Sequence, residues 1–188
     1  MRRKLALVTV AAVCLWGCGK KAEGPKAPLE AMKTIQADPD FEVQLFASEP
    51  MVTDPVDVVF DERGRAFVAD MLDLPWDPPK GQKARSRIVM LEDADGDGKA
   101  DRSTVFAENV LQVSGLMPWK GGLIVPSAPD ILYLKDTDGD GKADLREVWF
   151  TGFFQGNPEA QITNPRLGLD NWIYFNNTGN AGRITSPK

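Results

Sequence analysis

"LKDTDGDGKADLREVWF" (residues 134–150) repeats, in its first half, a stretch already present as "LEDADGDGKADRSTVF" (residues 91–106). The nonapeptides 93–101 and 136–144 differ only at Ala94 against Thr137, and they start 43 residues apart. Each places aspartate at relative positions 1, 3, 5 and 9 and glycine at positions 4 and 6, between short runs rich in β-branched and aromatic residues. Asp and Gly are turn formers, and runs of this length flanking them read as strands. One acidic turn, used twice between the same kinds of strand, implies that the chain repeats a structural unit.

Further strands extend outward from these loops. "VDVVF" (56–60), the turn "DERG" and "RAFVAD" (65–70) form a strand–turn–strand unit, with glycine where a positive φ is wanted. "RIVMLED" (87–93), the first aspartate loop and "STVFAENV" (103–110) complete it. The same order returns as "SGLMPW", "KGG", "LIVPSA", "ILYLKD", the second loop and "REVWFTGF", and begins a third time as "PRLGLDNWIYFNN" (165–177), turning at Asp170-Asn171. Phe67, Ile124 and Ile173 stand at equivalent points 57 and 49 residues apart, and "MLDLPWDPPKGQKARS" (71–86) is an insertion in the first unit. Four strands per unit at such a period mark a β-propeller. The expected fold is therefore all-β, a partial propeller of about two and a half four-stranded blades over residues 41–188. A plain β-sandwich of irregular hairpins is the alternative. The near-identical loops favour blades, each loop joining a third strand to a fourth.

The aspartate spacing is that of an EF-hand-type calcium loop, in which position 7 offers a backbone carbonyl and position 12 a bidentate Glu. The first loop supplies Asp93, Asp95, Asp97 and Asp101, with Lys99 at the carbonyl position and Thr104 at position 12. The second supplies Asp136, Asp138, Asp140 and Asp144, with Lys142 at the carbonyl position and Glu147 at position 12, making it the more complete set. Soluble polar turns would use the same residue types. Four carboxylates in nine residues repel one another without a divalent cation, which points to calcium. Strands flank the loops, so the ion is expected to pin hairpins rather than to open a sensor groove.

Composition narrows the chemistry. The 188 residues carry a net charge of −5 and no Lys/Arg cluster, which excludes a nucleic-acid partner. No histidine is present, which removes imidazole bases, His-ligated zinc and Cys-x-x-Cys-His haem attachment from this chain.

The N-terminus reads as an address. Arg2, Arg3 and Lys4 precede an apolar run at 5–16, the layout of a secretory signal. It ends in Leu15-Trp16-Gly17-Cys18, similar to a bacterial lipobox in which Cys18 becomes the lipidated mature N-terminus. A cleaved ordinary signal and an uncleaved anchor are the alternatives, since Trp16 is bulky for that motif. Cleavage before Cys18 removes three positive charges, taking −5 to −8, and removes Cys14, so no disulfide could form. The expected organisation is a signal peptide and lipobox at 1–18, a proline-containing polar tether at 19–40 with a short helix near 29–35, and the strand-rich region at 41–188. The expected location is the cell envelope, lipid-anchored and facing the periplasm or exterior.

"FEVQLFASEPMVTDPVDVVFDERGRAFVAD", the two loop stretches and "RLGLDNWIYFNN" together resemble the N-terminal part of the membrane-bound dehydrogenase β-propeller family of secreted bacterial proteins, itself similar to quinoprotein glucose/sorbosone dehydrogenases. The resemblance covers about residues 41–188. It implies a secreted, calcium-stabilised, dehydrogenase-like protein acting on a sugar or alcohol, not catalytically complete in these residues. Quinone or haem would come only from downstream regions. In the enzymes a histidine base precedes the "GxDxxIY" strand pair. Here Ala160, Gln161, Ile162 and Thr163 occupy those places, so no catalytic residue is assigned. Arg166 and Asn176 are candidates to touch substrate or to cap strand ends. Trp76, Trp119, Trp149 and Trp172 are candidates for a sugar-stacking surface or for core. Lys80, Lys83, Arg85 and Arg87 give the insertion a basic, solvated end. The alternative function is a non-catalytic, calcium-stabilised surface lipoprotein that binds a glycan or protein. Open blade edges are expected to pair with other chains.

Overall fold

The computed structural model describes residues 24–157, 159–177 and 182–187. Among the described residues, turn chemistry cuts the chain into ten short strands, all paired antiparallel in sequence order. The first sheet comprises β1 (Pro55–Phe60), β2 (Ala66–Asp70), β3 (Arg87–Glu92) and β4 (Arg102–Ala107), and the second β5 (Met117–Trp119), β6 (Gly122–Ser127), β7 (Asp130–Lys135) and β8 (Leu145–Phe150). A hairpin of β9 (Thr163–Leu167) and β10 (Ile173–Asn176) follows. The β1–β2 turn is closed by the Asp61 carboxylate, which accepts from Arg63 N (3.0 Å) and Arg65 N (2.9 Å), while Gly64 takes φ 78°. The β9–β10 turn sets Asn171 at φ 62°.

Both faces of the two inner strands of each four-stranded sheet are covered. β2 and β6 are buried along their whole length, which matches their near-continuous apolar sequences rather than an in–out alternation. One core joins the first sheet (Phe67, Ile88, Met90, Phe106) to the second (Leu123, Val125, Leu132, Leu134) through Val110, Val113 and Leu116 of the connection. A second core covers the far side of the first sheet, with Val68, Val89 and Leu91 packed under Phe46 and Met51. A third covers the far side of the second sheet, with Ile124, Ile131 and Tyr133 against Trp149, Ile173 and Phe175. The hairpin is thus a third layer on the second sheet. Each fully buried Leu, Ile or Val contributes about 1.5–3 kcal/mol, so these faces outweigh any single turn or ion pair.

The outermost strands share one irregularity. Ile88 pairs with Ala107 and Val89 with Val105, leaving Phe106 as an extra residue in β4. Ile131 pairs with Phe150 and Leu132 with Val148, leaving Trp149 extra in β8. A bulge at an aromatic residue is therefore part of the repeat.

The first strands of the three layers approach one another at one point. Asp57 Oδ2 on β1 accepts from Leu116 N (2.8 Å), and a β-carbon on Gly115 would lie 3.0 Å from Pro165 Cδ and 3.1 Å from Asn164 N at β9. A side chain at residue 115 would have to push Pro165 and the Asn164 backbone back by a few tenths of an ångström.

Residues up to Val43 form a separate unit from residues 44–188. Its described part holds one five-residue helix, α1 (Pro28–Met32), with proline at its start and no buried residue. It is shorter than the helix expected near 29–35. Cys18 and the apolar run before it lie outside the described residues, among which no helix is long and apolar enough to cross a membrane.

Candidate functional site

The two aspartate loops sit where the repeat predicts, between β3 and β4 and between β7 and β8. Each is folded around its first aspartate. Asp93 Oδ1 accepts from Gly96 N (2.7 Å) and Asp97 N (3.2 Å), and its Oδ2 from Gly98 N (2.9 Å). Asp136 repeats this with Gly139 N (2.6 Å) and Gly141 N (2.9 Å). The amides can turn inward because Gly96, Gly98, Gly139 and Gly141 hold φ between 77° and 86°, a region costly for other residues. The ninth position closes each loop: Ala94 N donates to Asp101 Oδ2 (2.7 Å), and Thr137 N donates to Asp144 Oδ1 (2.6 Å) while the Thr137 hydroxyl donates to Asp144 Oδ2.

This folding brings three of the four aspartates together. Carboxylate oxygens of Asp93, Asp95 and Asp101 lie within 4.8 Å of one another, as do those of Asp136, Asp138 and Asp144. The fifth-position residues stand outside both groups. Asp97 accepts from Lys99 N (2.8 Å) and Lys99 Nζ (2.9 Å), and Asp140 from Lys142 N (2.8 Å). Burial would raise the Asp136 pKa, but the amides of Gly139, Gly141 and Asp138 outweigh it and hold the carboxyl below the usual range. The Thr137 hydroxyl and amide do the same for Asp144, and Lys99 does it for Asp97. In the second loop, Asp136 and Asp144 are thus held in the charged form by their own turn.

Position 12 lies on the following strand. Thr104 pairs with Met90 on β3, and Glu147 pairs with Tyr133 on β7. Glu147 Oε2 accepts from Trp149 Nε1 (3.0 Å), and Tyr133 stacks on the Trp149 ring at 4.7 Å. Burial, and then the Glu147 charge, raise the Tyr133 pKa.

The eighth loop residue, which spacing arguments treat as filler, makes the contact between layers. Ala143 N donates to the carbonyl of Phe106, the bulged residue of β4 (2.7 Å), and Ala100 N donates to Phe46 O (2.8 Å). A β-carbon on Gly141 would meet Met90 Cε at 3.2 Å and Thr104 Cγ2 at 3.5 Å, and one on Gly98 would meet Gln44 Oε1 at 2.7 Å. The second loop therefore plugs into the outer strand of the first sheet, and the first loop meets the strandless stretch 44–47 in the same way. Residues 44–47 stand toward the first sheet as residues 104–107 stand toward the second. The likeness of "QLFA" to "TVFA" is the signal that could have revealed it.

The remaining candidates disperse. Arg166 donates to Pro165 O (2.8 Å), and Asn176 lies opposite Thr163 at the end of the hairpin. Trp119 and Trp149 belong to the third core, whereas Trp76 is 80% and Trp172 72% exposed. Two residues of the insertion's basic end are engaged: Arg85 with Asp73, and Arg87 with Asp70 (2.9 Å), both acids fully or almost fully buried. Sequence reading missed these two acids. It also missed a relay in which buried Gln161 donates to buried Gln112 and Gln112 to the exposed Asp77.

Four-stranded antiparallel meanders, stacked in layers and joined through repeated acidic loops, define the class of this all-β protein. The chain belongs to the family described as Domain of unknown function (DUF7133), which it matches over residues 27–188. No similarity to a curated protein or to a solved structure was found.

Proposed function

We propose that residues 41–188 are calcium-pinned propeller blades of an envelope-anchored, dehydrogenase-like protein that acts on a sugar or alcohol, in which this part serves as scaffold. The observation that carries the calcium reading is the repeated trio of carboxylates, within 4.8 Å in both loops, whose first member accepts inward-turned glycine amides in each. The donor set is hard oxygen alone, with no histidine in the chain, which suits calcium and disfavours zinc or copper. Asp93, Asp95 and Asp101 would hold one ion and Asp136, Asp138 and Asp144 the other. The ion would supply charge neutralisation and rigidity. Supporting the blade reading are the consecutive meander order, the two-sided burial of the inner strands of both sheets, and the approach of β1, β5 and β9 around Asp57 and Gly115. The dehydrogenase reading rests on the sequence resemblance, and no described residue is assigned to its chemistry.

The test separates a loop's folding role from its metal role. Calcium at about ten times a millimolar-range Kd stabilises the folded state by roughly 1.4 kcal/mol per site. That is a shift of several degrees in a thermal scan. Asp138→Ala should remove this gain and cost little in chelator. Asp136→Ala should lower the melting temperature in both conditions, because it also strips acceptors from Gly139 N and Gly141 N. An unchanged melting curve on adding calcium to the unmodified chain would leave the loops as polar turns.

A further inference from the structure

The insertion at residues 71–86 joins β2 to β3 at the end of the strands opposite the aspartate loop that joins β3 to β4. Its base is locked. The buried Asp73 carboxylate accepts from Ser86 N and the Ser86 hydroxyl (both 2.7 Å) and from Arg85 N (2.9 Å), and Val110 N donates to Ser86 O (3.0 Å). Asp77 accepts from the buried Gln112, which ties the tip to the connection between the sheets. Between these ties the chain turns outward: Leu74 and Trp76 are 45% and 80% exposed, and Pro75, Pro78 and Pro79 stiffen the backbone that presents them. β2 and β3 are already buried on both faces, so the tip projects from a sheet end and not from a face on which a layer stacks. Positive charge stands beside the apolar pair. Lys80 and Lys83 are exposed and, among the described residues, their ammonium groups enter no hydrogen bond or ion pair. Residues 74–84 thus carry two cations against the single carboxylate of Asp77, on a chain of net charge −5.

We propose that this tip is a foot for an anionic lipid surface, with Trp76 and Leu74 entering the headgroup layer and Lys80 and Lys83 lying on lipid phosphates. An indole prefers that depth, where its ring is in apolar surroundings and its N–H is wet. The long lysine stems let the ammonium groups stay in water beside it. Each lysine at an anionic surface strengthens binding about fivefold. A sugar stacked on Trp76 would need free acceptors beside the ring, but the neighbouring Asp77 is already engaged by Gln112 and the free polar groups are cationic, which favours lipid. Because the base is pinned, the contact forms without first ordering a loop. The consequence is orientation: the foot sets this end of the first sheet against the membrane, and the first aspartate loop, at the other end of β3, toward solution. It needs neither calcium in the loops nor lipid on Cys18.

The test uses the full chain with Trp16→Phe and Cys18→Ser, so that neither the tryptophan of the apolar run nor a lipid contributes, on vesicles of phosphatidylglycerol and brominated phosphatidylcholine. Quenching of tryptophan emission is expected, and it should disappear in Trp76→Phe. A Lys80→Gln/Lys83→Gln chain should need about 25-fold more lipid for half the quenching, and vesicles of brominated phosphatidylcholine alone should quench the parent as weakly. All three side chains are exposed, so the melting temperature should not move. Quenching retained in Trp76→Phe, an unaltered lipid requirement in the lysine variant, or equal quenching by neutral and anionic vesicles would each overturn the proposal. So would a glycan array that captures the parent but not Trp76→Ala while vesicles leave its emission unquenched, which would reassign the tip to sugar recognition.

Discussion

Asp73 is 2% exposed and carries its charge inside the insertion between β2 and β3. Burial pushes its pKa up, but the Ser86 hydroxyl (2.7 Å), Ser86 N (2.7 Å) and Arg85 N (2.9 Å) outweigh this, and the carboxyl titrates below its ordinary 3.8. With the folded value below the unfolded one, its contribution to stability is complete above 3.8 and is lost as pH falls through the folded value. Asp73→Asn should therefore cost about 1–3 kcal/mol in denaturant unfolding at neutral pH. The difference from the parent chain should stay level down to 3.8 and shrink below it. A gap that persists undiminished in stronger acid would contradict this account. The aspartate and the serine are plain in "MLDLPWDPPKGQKARS", but nothing in the spacing says that residues 73 and 86 meet, because the loop between them closes through tertiary contacts alone.

The aspartate loop acts both as a turn and as a plug, and its two inner glycines separate these roles. Gly139 takes φ 85° with nothing within 4 Å of a β-carbon, whereas Gly141 takes φ 86° with Met90 Cε at 3.2 Å. Gly139→Ala should cost about 1–2 kcal/mol for the left-handed backbone alone. Gly141→Ala should cost that and about 1–3 kcal/mol more for overpacking against the first sheet. Hydrogen exchange offers a second check: the Ala143 amide should lose protection in Gly141→Ala and keep it in Gly139→Ala. Equal losses in the two variants would mean the loop does not carry the sheet contact. As a turn the element was readable from Asp and Gly spacing, and the ten described strands overlap the stretches that pattern marked, with β9 starting at Thr163, two residues before the marked Pro165. As a plug it was not, since a backbone amide donates alike from any residue but proline and leaves no mark in side-chain chemistry.

For the whole molecule, the location proposal turns on Cys18. If it carries lipid, Cys18→Ser should move the protein from the membrane fraction to the soluble one after cell breakage; a variant retained as firmly as the parent would count against the anchor. The layered architecture has a different basis. Strand number, order and turns were set by local chemistry: period-two and apolar runs, glycine at positive φ, and acidic loops at a fixed interval, each acting within a few residues of its own position. Tertiary structure alone decided which faces meet. The far side of the first sheet is closed by Phe46 and Met51 from a stretch without a strand pattern, and the aromatic bulge at Phe106 presents its carbonyl to Ala143 of the second sheet's loop. Tertiary structure likewise chose which aspartates converge. Equal spacing put four in each loop, but inward-turned amides gather positions one, three and nine, and the fifth turns to its own lysine. Local propensity operates through neighbours in the chain, whereas burial and carbonyl pairing between layers join residues about 40 to 60 positions apart, where loop closure and packing rather than pattern set the energy.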